Sequence, residues 1–352
     1  YLCNKNKKKF NKRTPGRKLA NLYTMTLYSS LIVGLLVLVS AEAFISSPAR
    51  LTSHSLQQNA RLSMHFEEAL AEKTLQEGSL TRERYIACNR FKCRPKAAAK
   101  FEKRWVDRTS RLAELDGFKW FALLRRVEEY GADYSAEGEF GNYMSLTVWD
   151  DKDSFNSWRT GEAFKEAHGG GGITDFVKLL GTALFILDGA PKPAFFDGLL
   201  PLASDAPSKI ASKAVDGWRK DIVADGENLV EPEVFVAMNR FSIPEEARIP
   251  FEQRWAKRES ELKDLPGFRF FNMLRRDATE ADDGYNYISM SVWEDRGSFE
   301  GWRASQQFNK AHGSEKPSGE EASKPKAPPM FKTPPKTAFY EGKVVLESAG
   351  GP

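Results

Sequence analysis

The chain contains an internal repeat, and this feature restricts its possible folds more than any other. The segment YIACNRF at 85–91 returns as FVAMNRF at 235–241, an offset of 150 residues. After a loop that is six residues shorter in the second copy the offset becomes 144, and SLTVWDDKDSFNSW returns as SMSVWEDRGSFEGW. A repeat of this length is a small domain rather than a short solenoid unit, so we predict two copies of one domain, at 84–200 and 234–346.

The apolar pattern of the first copy predicts four strands and two helical regions. Residues 84–91 alternate as a strand does, and Pro95 begins a helix whose apolar face runs from Phe101 to Leu115 and which ends before Gly117. In the third strand Met144, Leu146 and Val148 point one way and Tyr143, Ser145, Thr147 and Trp149 the other. The remaining elements are a strand at 118–128, a loop at 130–141, the third strand at 142–149, a helix from about Asp153 that Gly161 interrupts, and a strand at 193–200.

This order, β-α-β-β-α-β, is that of a ferredoxin-like α+β domain. A four-stranded sheet with helices on one side leaves its other face to be covered. We therefore expect the two ferredoxin-like domains to bury these faces against each other as an intramolecular dimeric α/β-barrel. We also predict a linker between the domains at 201–233, with a helical segment at Ile210–Ile222. The remaining parts are a loop at 313–336 and a tail at 347–352.

The first 63 residues have the composition of a targeting leader. The apolar run Leu27–Ser40 ends at Ala41-Glu42-Ala43, which is typical of a signal peptide, and the alternative is a signal anchor. Residues 44–63 then contain Ser, Thr and Arg but no acid, and Phe44 directly follows the expected cleavage site. This resembles the two-part leaders of red-lineage algae and predicts a plastid location, with a secreted or endomembrane location as the alternative. An N-terminal helical segment is expected at 64–83.

Charge excludes one class of function for the body of the chain. Residues 1–63 carry ten Lys and Arg and one acid, whereas the rest carries 42 basic and 47 acidic residues. A mildly acidic body without a basic stripe is not typical of a nucleic-acid binder, and no membrane partner is expected for the mature chain. Cys88 and Cys93 are five residues apart, which is not the spacing of a redox or zinc pair, and we interpret them as small core or edge residues.

The candidate site residues occupy matching positions in the two copies. Each copy has one His, ten residues after a Trp, and one Asn on its first strand between aromatic residues and Ala. Taken singly, the His could cap a helix, the Trp could be core and the Asn could satisfy a strand edge. Their joint recurrence favours a site. The candidates are Asn89, Trp158 and His168 in the first copy, and Asn239, Trp302 and His312 in the second.

These residues resemble the antibiotic-biosynthesis-monooxygenase (ABM) superfamily, most of all the IsdG-type haem-degrading monooxygenases. The resemblance rests on ACNRF and AMNRF, on LDGFKWF and LPGFRFF, and on the Trp and His of each copy. It implies that His168 and His312 bind haem iron, and that Trp158 and Trp302 press on the porphyrin. It also implies that Asn89 and Asn239 donate a hydrogen bond on the open face of the haem. The implied activity is that of a haem oxygenase-type monooxygenase, which opens the porphyrin ring with O2 and releases iron.

Several expectations about partners accompany this resemblance. Electrons must come from an external donor, because the chain has no flavin- or nicotinamide-binding fingerprint. Members of the family are usually homodimers, whereas this chain would be its own pseudo-dimer and could act as a monomer. The copies differ after each His, so the two sites are expected to be unequal, and the stretch 173–187 favours the first. Alternative functions are haem binding or transfer without turnover, a cofactor-free ABM oxygenase acting on a phenolic or quinone substrate, and a structural partner without a site.

Overall fold

This computed structural model describes residues 77–127, 141–167, 185–208, 210, 213–258, 261–277, 283–305 and 330–352, all within the compact unit Thr52–Pro352. The predicted leader 1–63 and the segment 64–76 lie outside the described residues. The strands are β1 (Arg84–Phe91), β2 (Phe118–Val127), β3 (Tyr143–Trp149), β4 (Lys192–Ala203), β5 (Ala214–Val215), β6 (Trp218–Arg219), β7 (Val234–Ser242), β8 (Phe268–Arg276), β9 (Tyr287–Trp293) and β10 (Thr333–Glu347). The α-helices are α1 (Ala98–Val106), α2 (Lys152–Thr160), α3 (Glu162–Ala167), α4 (Arg248–Ala256) and α5 (Arg296–Arg303).

Eight of these strands form one closed antiparallel barrel in the order β1-β3-β2-β10-β7-β9-β8-β4. Each repeat contributes four strands, and within a repeat the order β-α-β-β-α-β is the one predicted. The α+β class and the intramolecular barrel of two ferredoxin-like domains are therefore confirmed. Closure leaves no edge of the eight-stranded sheet open, and each repeat takes the place beside the other that a second copy would have.

The last strand of each repeat joins the two halves of the barrel. β4 pairs with β1 of its own repeat and with β8 of the other, and β10 pairs with β7 and then with β2. The register of each shifts where it reaches the other repeat, between Leu199 and Leu202 and between Lys343 and Leu346. Such bulges bend a strand, and here they turn it from one half of the barrel towards the other.

The barrel interior is an apolar core to which both repeats contribute. Met144, Leu146 and Val148 point inward, as their alternation predicts. Trp120 packs edge-on against Phe270 of the other repeat, with ring centroids 5.1 Å apart. Each sheet thus covers the inner face of the other, and the outer faces remain for the helices. Residues of β1 that face outward include Tyr85, Ala87 and Phe91.

The first predicted helix is shorter than expected. In place of one helix from Pro95 to Leu115, the chain forms a 3-10 turn at Pro95–Ala97, then α1, and a separate 3-10 turn at Leu112–Glu114. The indole Nε1 of Trp218 donates to the carbonyl of Trp105, 3.2 Å away. The same carbonyl accepts from the backbone N–H of Arg108 at 3.4 Å. In the second repeat α4 ends at the matching residue, Ala256, with the corresponding bond from Arg258 to Trp255, so both helices end in the same way.

The predicted helical segment at Ile210–Ile222 is also wrong for the residues described there. β5 and β6 form a hairpin in which Val215 pairs with Trp218. Its two central residues, Asp216 and Gly217, have φ of 51° and 78°, as a type I′ turn requires. The dipeptide Asp-Gly is typical of this turn, and the burial of Trp218 stabilises the β5–β6 hairpin.

Three further boundaries differ from the predictions. Residues 77–83 are turn and extended chain, not helix, because Leu80 and its neighbours lie against the second repeat. β10 begins at Thr333, inside the predicted loop 313–336, because that end pairs with Ser242 of β7. It ends at Glu347, the first residue of the predicted tail. Most of the loop 130–141 and of the stretch 173–187 lies outside the described residues. None of the described helices has the length and apolar character needed to cross a membrane.

Candidate functional site

The outer face of β1 and β3 carries a row of small side chains. Ala87 lies opposite Thr147 in register, and Asn89 lies opposite Ser145. All four point away from the barrel interior, because the intervening Cys88 belongs to the interior core. The hydroxyl of Thr147 donates to the carbonyl of Ala87 at 3.1 Å, which keeps it close to the sheet. These four residues form a low floor.

Aromatic side chains border this floor on two sides. On the α2 side, the indole of Trp158 stacks on Trp149 with centroids 5.3 Å apart and contacts Phe155 at 5.8 Å. On the α1 side, Trp105 packs against Phe91 at 6.0 Å. We call the floor and its two borders the first slot. The border residues are Tyr85, Trp149, Phe155, Trp158 and Phe195 on one side and Phe91, Phe101, Trp105 and Tyr143 on the other.

The second repeat builds the same arrangement, the second slot. Trp302 stacks on Trp293 at 5.3 Å and contacts Phe299 at 5.8 Å, the distances found in the first slot. Its floor is Ala237, Asn239, Ser289 and Ser291, and its borders are Phe235, Trp293, Phe299, Trp302 and Phe339 on one side and Phe241, Phe251, Trp255 and Tyr287 on the other.

The two asparagines lie on the floors at the least covered point of their strands. Between Tyr85 and Phe91, Asn89 is the one residue that is partly exposed, and Asn239 has this position in β7. The Oδ1 atom of Asn89 is nonetheless buried and has no hydrogen-bond partner among the described residues. An unsatisfied amide beside an apolar surface costs free energy, and a polar group of a ligand could satisfy it.

The helix that carries Trp158 is held by local capping. Asp151 accepts a hydrogen bond from the backbone N–H of Ser154 at 2.7 Å, and Asp295 does the same for Ser298. Gly117 at the start of β2 has a φ of 72°, and a Cβ atom there would lie 2.3 Å from the Ser154 hydroxyl. Glycine at this position therefore lets α2 approach the sheet closely enough for its indole to reach the slot.

The family model named antibiotic biosynthesis monooxygenase (ABM) matches residues 84–170 and 234–314, the parts that build the two slots. The chain contains two tandem ABM domains. Among solved structures, a candidate monooxygenase of Fusobacterium nucleatum is 11% identical over 78% of this chain and 97% of its own, with a TM-score of 0.48.

Two other similar structures are described as haem-degrading proteins. MhuD of Mycobacterium tuberculosis, solved with two haems bound, is 22% identical over 30% of this chain and 93% of its own, with a TM-score of 0.23. LmHde of Listeria monocytogenes is 10% identical over 73% and 98%, with a TM-score of 0.29.

In the first ABM domain, the short helix α3 spans from one border of the slot to the other. Its Phe164 packs edge-on against Trp158 at 5.0 Å. At its other end the carbonyl of Ala167 accepts from Nε of Arg108 at 3.1 Å, and that guanidinium lies over Trp105 at 5.0 Å. Burial lowers the pKa of Arg108 to about 10, so it stays protonated at neutral pH. α3 therefore covers part of the slot and leads into position 168.

The predicted histidines lie just beyond the described residues. The description of the first ABM domain stops at Ala167 and that of the second at Ser305, so His168 and His312 are both outside it. The structure thus places Asn89 on the floor and Trp158 on the border of the first slot, and Asn239 and Trp302 at the same places in the second. Neither His is among the described residues. Within the described ranges no group of three or more His, Cys, Asp or Glu side chains could hold a metal ion.

In each repeat a buried carboxylate, which was not among the predicted site residues, holds the first helix against the sheet. Glu102 accepts hydrogen bonds from the Tyr143 hydroxyl at 2.7 Å and from the backbone N–H of Val230 at 2.6 Å. Burial, and then the Glu102 carboxylate, raise the pKa of Tyr143, which therefore remains a donor. Glu252 does the same with Tyr287 and Leu80 in the second ABM domain. The repeated Phe-Glu pair in each first helix was the available signal.

The cysteines lie outside both slots, in the core as predicted. Cys88 and Cys93 are free thiols and both are buried. Burial raises the pKa of Cys93 to about 12, so this thiol is not ionised at neutral pH. Cys88 lines a small cavity inside the barrel together with Arg90, Met238 and Arg276, on the other side of the sheet from the slot floors.

Proposed function

We propose that this chain is a haem-degrading monooxygenase, which opens the porphyrin ring with O2 and electrons from an external donor and releases iron. The observation that carries the proposal is the slot itself, a floor of small side chains between aromatic borders, with one asparagine on the floor and one tryptophan at the border. It occurs in both ABM domains. A flat, apolar macrocycle needs such a space, and an amide is the polar group that the chain sets into it.

The residues present fit a haem in chemical terms. When bound, haem supplies the activation of O2, which no side chain of this protein can supply. The chain would supply the neutral imidazoles of His168 and His312 as iron ligands, one in each slot. The Asn89 amide, whose Oδ1 is unsatisfied, can turn about its last torsion to present either an acceptor or a donor to the open face.

The tryptophans would act by contact. The Trp158 indole is rigid, half-buried and supported by Trp149 and Phe155 behind it and by Phe164 at its edge. A side chain supported in this way can press on a bound ring instead of moving aside. The aromatic borders also exclude water from the slot, which strengthens the hydrogen bond from the amide.

A titration of the purified chain with haemin tests the proposal. We expect haemin to bind with a Soret band, and ascorbate with O2 to diminish that band and release iron. The variant His168→Ala/His312→Ala should bind no haemin. Stoichiometric binding by this variant would contradict the ligand assignment. A Soret band that persists undiminished with reductant and O2 would indicate haem binding or transfer. No haemin uptake together with oxidation of a phenol would indicate a cofactor-free oxygenase.

We also propose that the protein acts in a plastid. The support is the order of features in the leader, an apolar run ending at Ala41-Glu42-Ala43, then Phe44 and an acid-free stretch to residue 63. Residues 1–63 fused to a fluorescent protein should direct it to the plastid of a red-lineage alga. The same fusion with Phe44→Ala should stay in the endomembrane system. Secretion of the unaltered fusion would refute the proposal.

A further inference from the structure

The amides of the two slot floors differ in what they bind. Nδ2 of Asn239 donates to the hydroxyl of Ser289 at 3.3 Å. Ser145 is the matching residue opposite Asn89, yet the Asn89 side chain makes no hydrogen bond to the described residues. The second amide is therefore held along its floor by its neighbour, whereas the first is available to a ligand.

A second difference lies behind the tryptophans. Lys152 is the first residue of α2, and its Nζ lies 3.0 Å from Oδ2 of Asp277, which follows β8 of the other repeat. The hydroxyl of Tyr85 donates to the same oxygen at 2.9 Å. All three side chains are buried, and burial followed by the Asp277 carboxylate raises the pKa of Tyr85, so its hydroxyl remains a donor. This ion pair ties the helix carrying Trp158 to the barrel.

The second slot cannot build this tie. The residues at the matching positions are Phe235, Arg296 and Val127, two of which are apolar. The side chain of Arg296 is 45% exposed and pairs with Glu300 of its own helix. The helix that carries Trp302 therefore lacks the buried cross-repeat ion pair that supports Trp158.

The anchoring of the helix affects function, because a tryptophan can distort a bound ring only if the tryptophan itself is not displaced. Trp158 is carried by a helix that this ion pair anchors across the repeats, and the Asn89 amide on the floor of its slot makes no hydrogen bond to the described residues. The helix that carries Trp302 has no such ion pair, and the amide on its floor is bound to Ser289. The first slot can both deform a macrocycle and direct a hydrogen bond to its open face, whereas the second can only accommodate the ring.

We propose that the two slots have divided the work: the first opens the porphyrin ring, and the second binds haem without turning it over. This rests on the proposed function, because both roles presuppose that haem enters the slots. The chain itself offers the matched control, since each substitution in one slot has its counterpart in the other.

The first test compares Asn89→Ala with Asn239→Ala. Both variants should bind two equivalents of haemin, as the unaltered chain does. With ascorbate and O2 the unaltered chain and Asn239→Ala should lose half of the Soret absorbance. Asn89→Ala should lose it at least about tenfold more slowly, the effect of removing one hydrogen bond to a charged group. If each variant removed half of the turnover, the division would be refuted and the proposed function would stand.

The second test measures, without turnover, whether each amide donates a hydrogen bond to a ligand of the haem. The observable is the infrared C–O stretch of carbon monoxide bound to the reduced haems. Two bands of equal area are expected, of which one is shifted to lower frequency by a hydrogen bond. Asn89→Ala should remove the shifted band, and Asn239→Ala should leave both unchanged. A shifted band that responds to both substitutions would mean that both amides donate, against the proposal.

The third test addresses Tyr85 as a positioning residue. Tyr85→Phe introduces the residue of the second slot, and Phe235→Tyr is its control. Tyr85→Phe should retain two equivalents of haemin, slow ring opening severalfold, and make the visible spectrum of the first haem that of the second. An unchanged rate and spectrum would refute the role of the anchor. If the unaltered chain bound no haemin, the proposed function and the division would both fail.

Discussion

Leu200 and Val344 occupy the same position in the two repeats, and both have a positive φ, of 51° and 52°. They lie in β4 and β10 at the bulges where each strand passes to the other half of the barrel. Positive φ is a strained conformation for a residue with a side chain, and most of all for β-branched valine. Closing the barrel therefore costs backbone strain at two related points.

Glycine at these two positions should have different effects. Leu200→Gly relieves strain of about 1 kcal/mol and removes a half-buried side chain of similar value, so stability should change little. Val344→Gly relieves similar strain but removes a completely buried side chain, so it should lower the free energy of unfolding by about 1 kcal/mol. Urea unfolding midpoints measure both. An equal loss in the two variants would mean that the strain at the two bulges is unequal.

The contact between Gly117 and Ser154 predicts a second pair of outcomes. Gly117→Ala introduces a Cβ 2.3 Å from the Ser154 hydroxyl and should destabilise the protein by about 3 kcal/mol, with the clash adding to the strain of positive φ. Gly284→Ala is the control, because Gly284 also has a positive φ, of 77°, but a Cβ there meets nothing within 4 Å. It should cost only about 1 kcal/mol. Thermal unfolding measures both, and equal losses would show that α2 can move away from β2.

The cap of α2 should make stability depend on pH in acid. The hydrogen bond from the Ser154 backbone N–H holds the pKa of Asp151 below its usual value. Its stabilisation is present above the unfolded pKa and is lost as the pH falls below about 4 and through the lower folded pKa. Asp151→Asn retains a capping residue without the charge, so its urea midpoint should depend less on pH in this window. Asp151→Ala should cost about 1 kcal/mol at neutral pH. Identical acid profiles for Asp151→Asn and the unaltered chain would contradict this.

Removing the indole from the first slot should separate binding from turnover. Trp158→Leu leaves an apolar side chain that can pack against a ring but not press on it. Haemin affinity should change little, whereas loss of the Soret band with ascorbate and O2 should slow about tenfold. Trp302→Leu is the control and should leave this rate unchanged. Equal effects of the two substitutions would show that both indoles act on reacting rings.

Much of the candidate site could be predicted because it is encoded locally. Alternation along β1 places Asn89 on the same side as Tyr85, Ala87 and Phe91 before any partner strand is known. The Asp151 cap and the Gly161 break are also local, and they determine where Trp158 occurs on its helix. The sequence also shows that Ser145 and Thr147 are small. Only the strand register, which places them opposite Asn89 and Ala87, makes these four residues one floor.

By itself, the sequence determined the repeat, the element order and which face of each strand is apolar, because these depend on neighbours a few residues apart. Only the tertiary structure decided that the indole of Trp218 donates to the carbonyl of Trp105, and that Lys152 and Tyr85 share Asp277. It likewise decided that the Asn239 amide is bound to Ser289, whereas Asn89 has no hydrogen-bond partner within the described part of the chain. These contacts join residues far apart in the chain, so they depend on register and packing, which no local pattern contains.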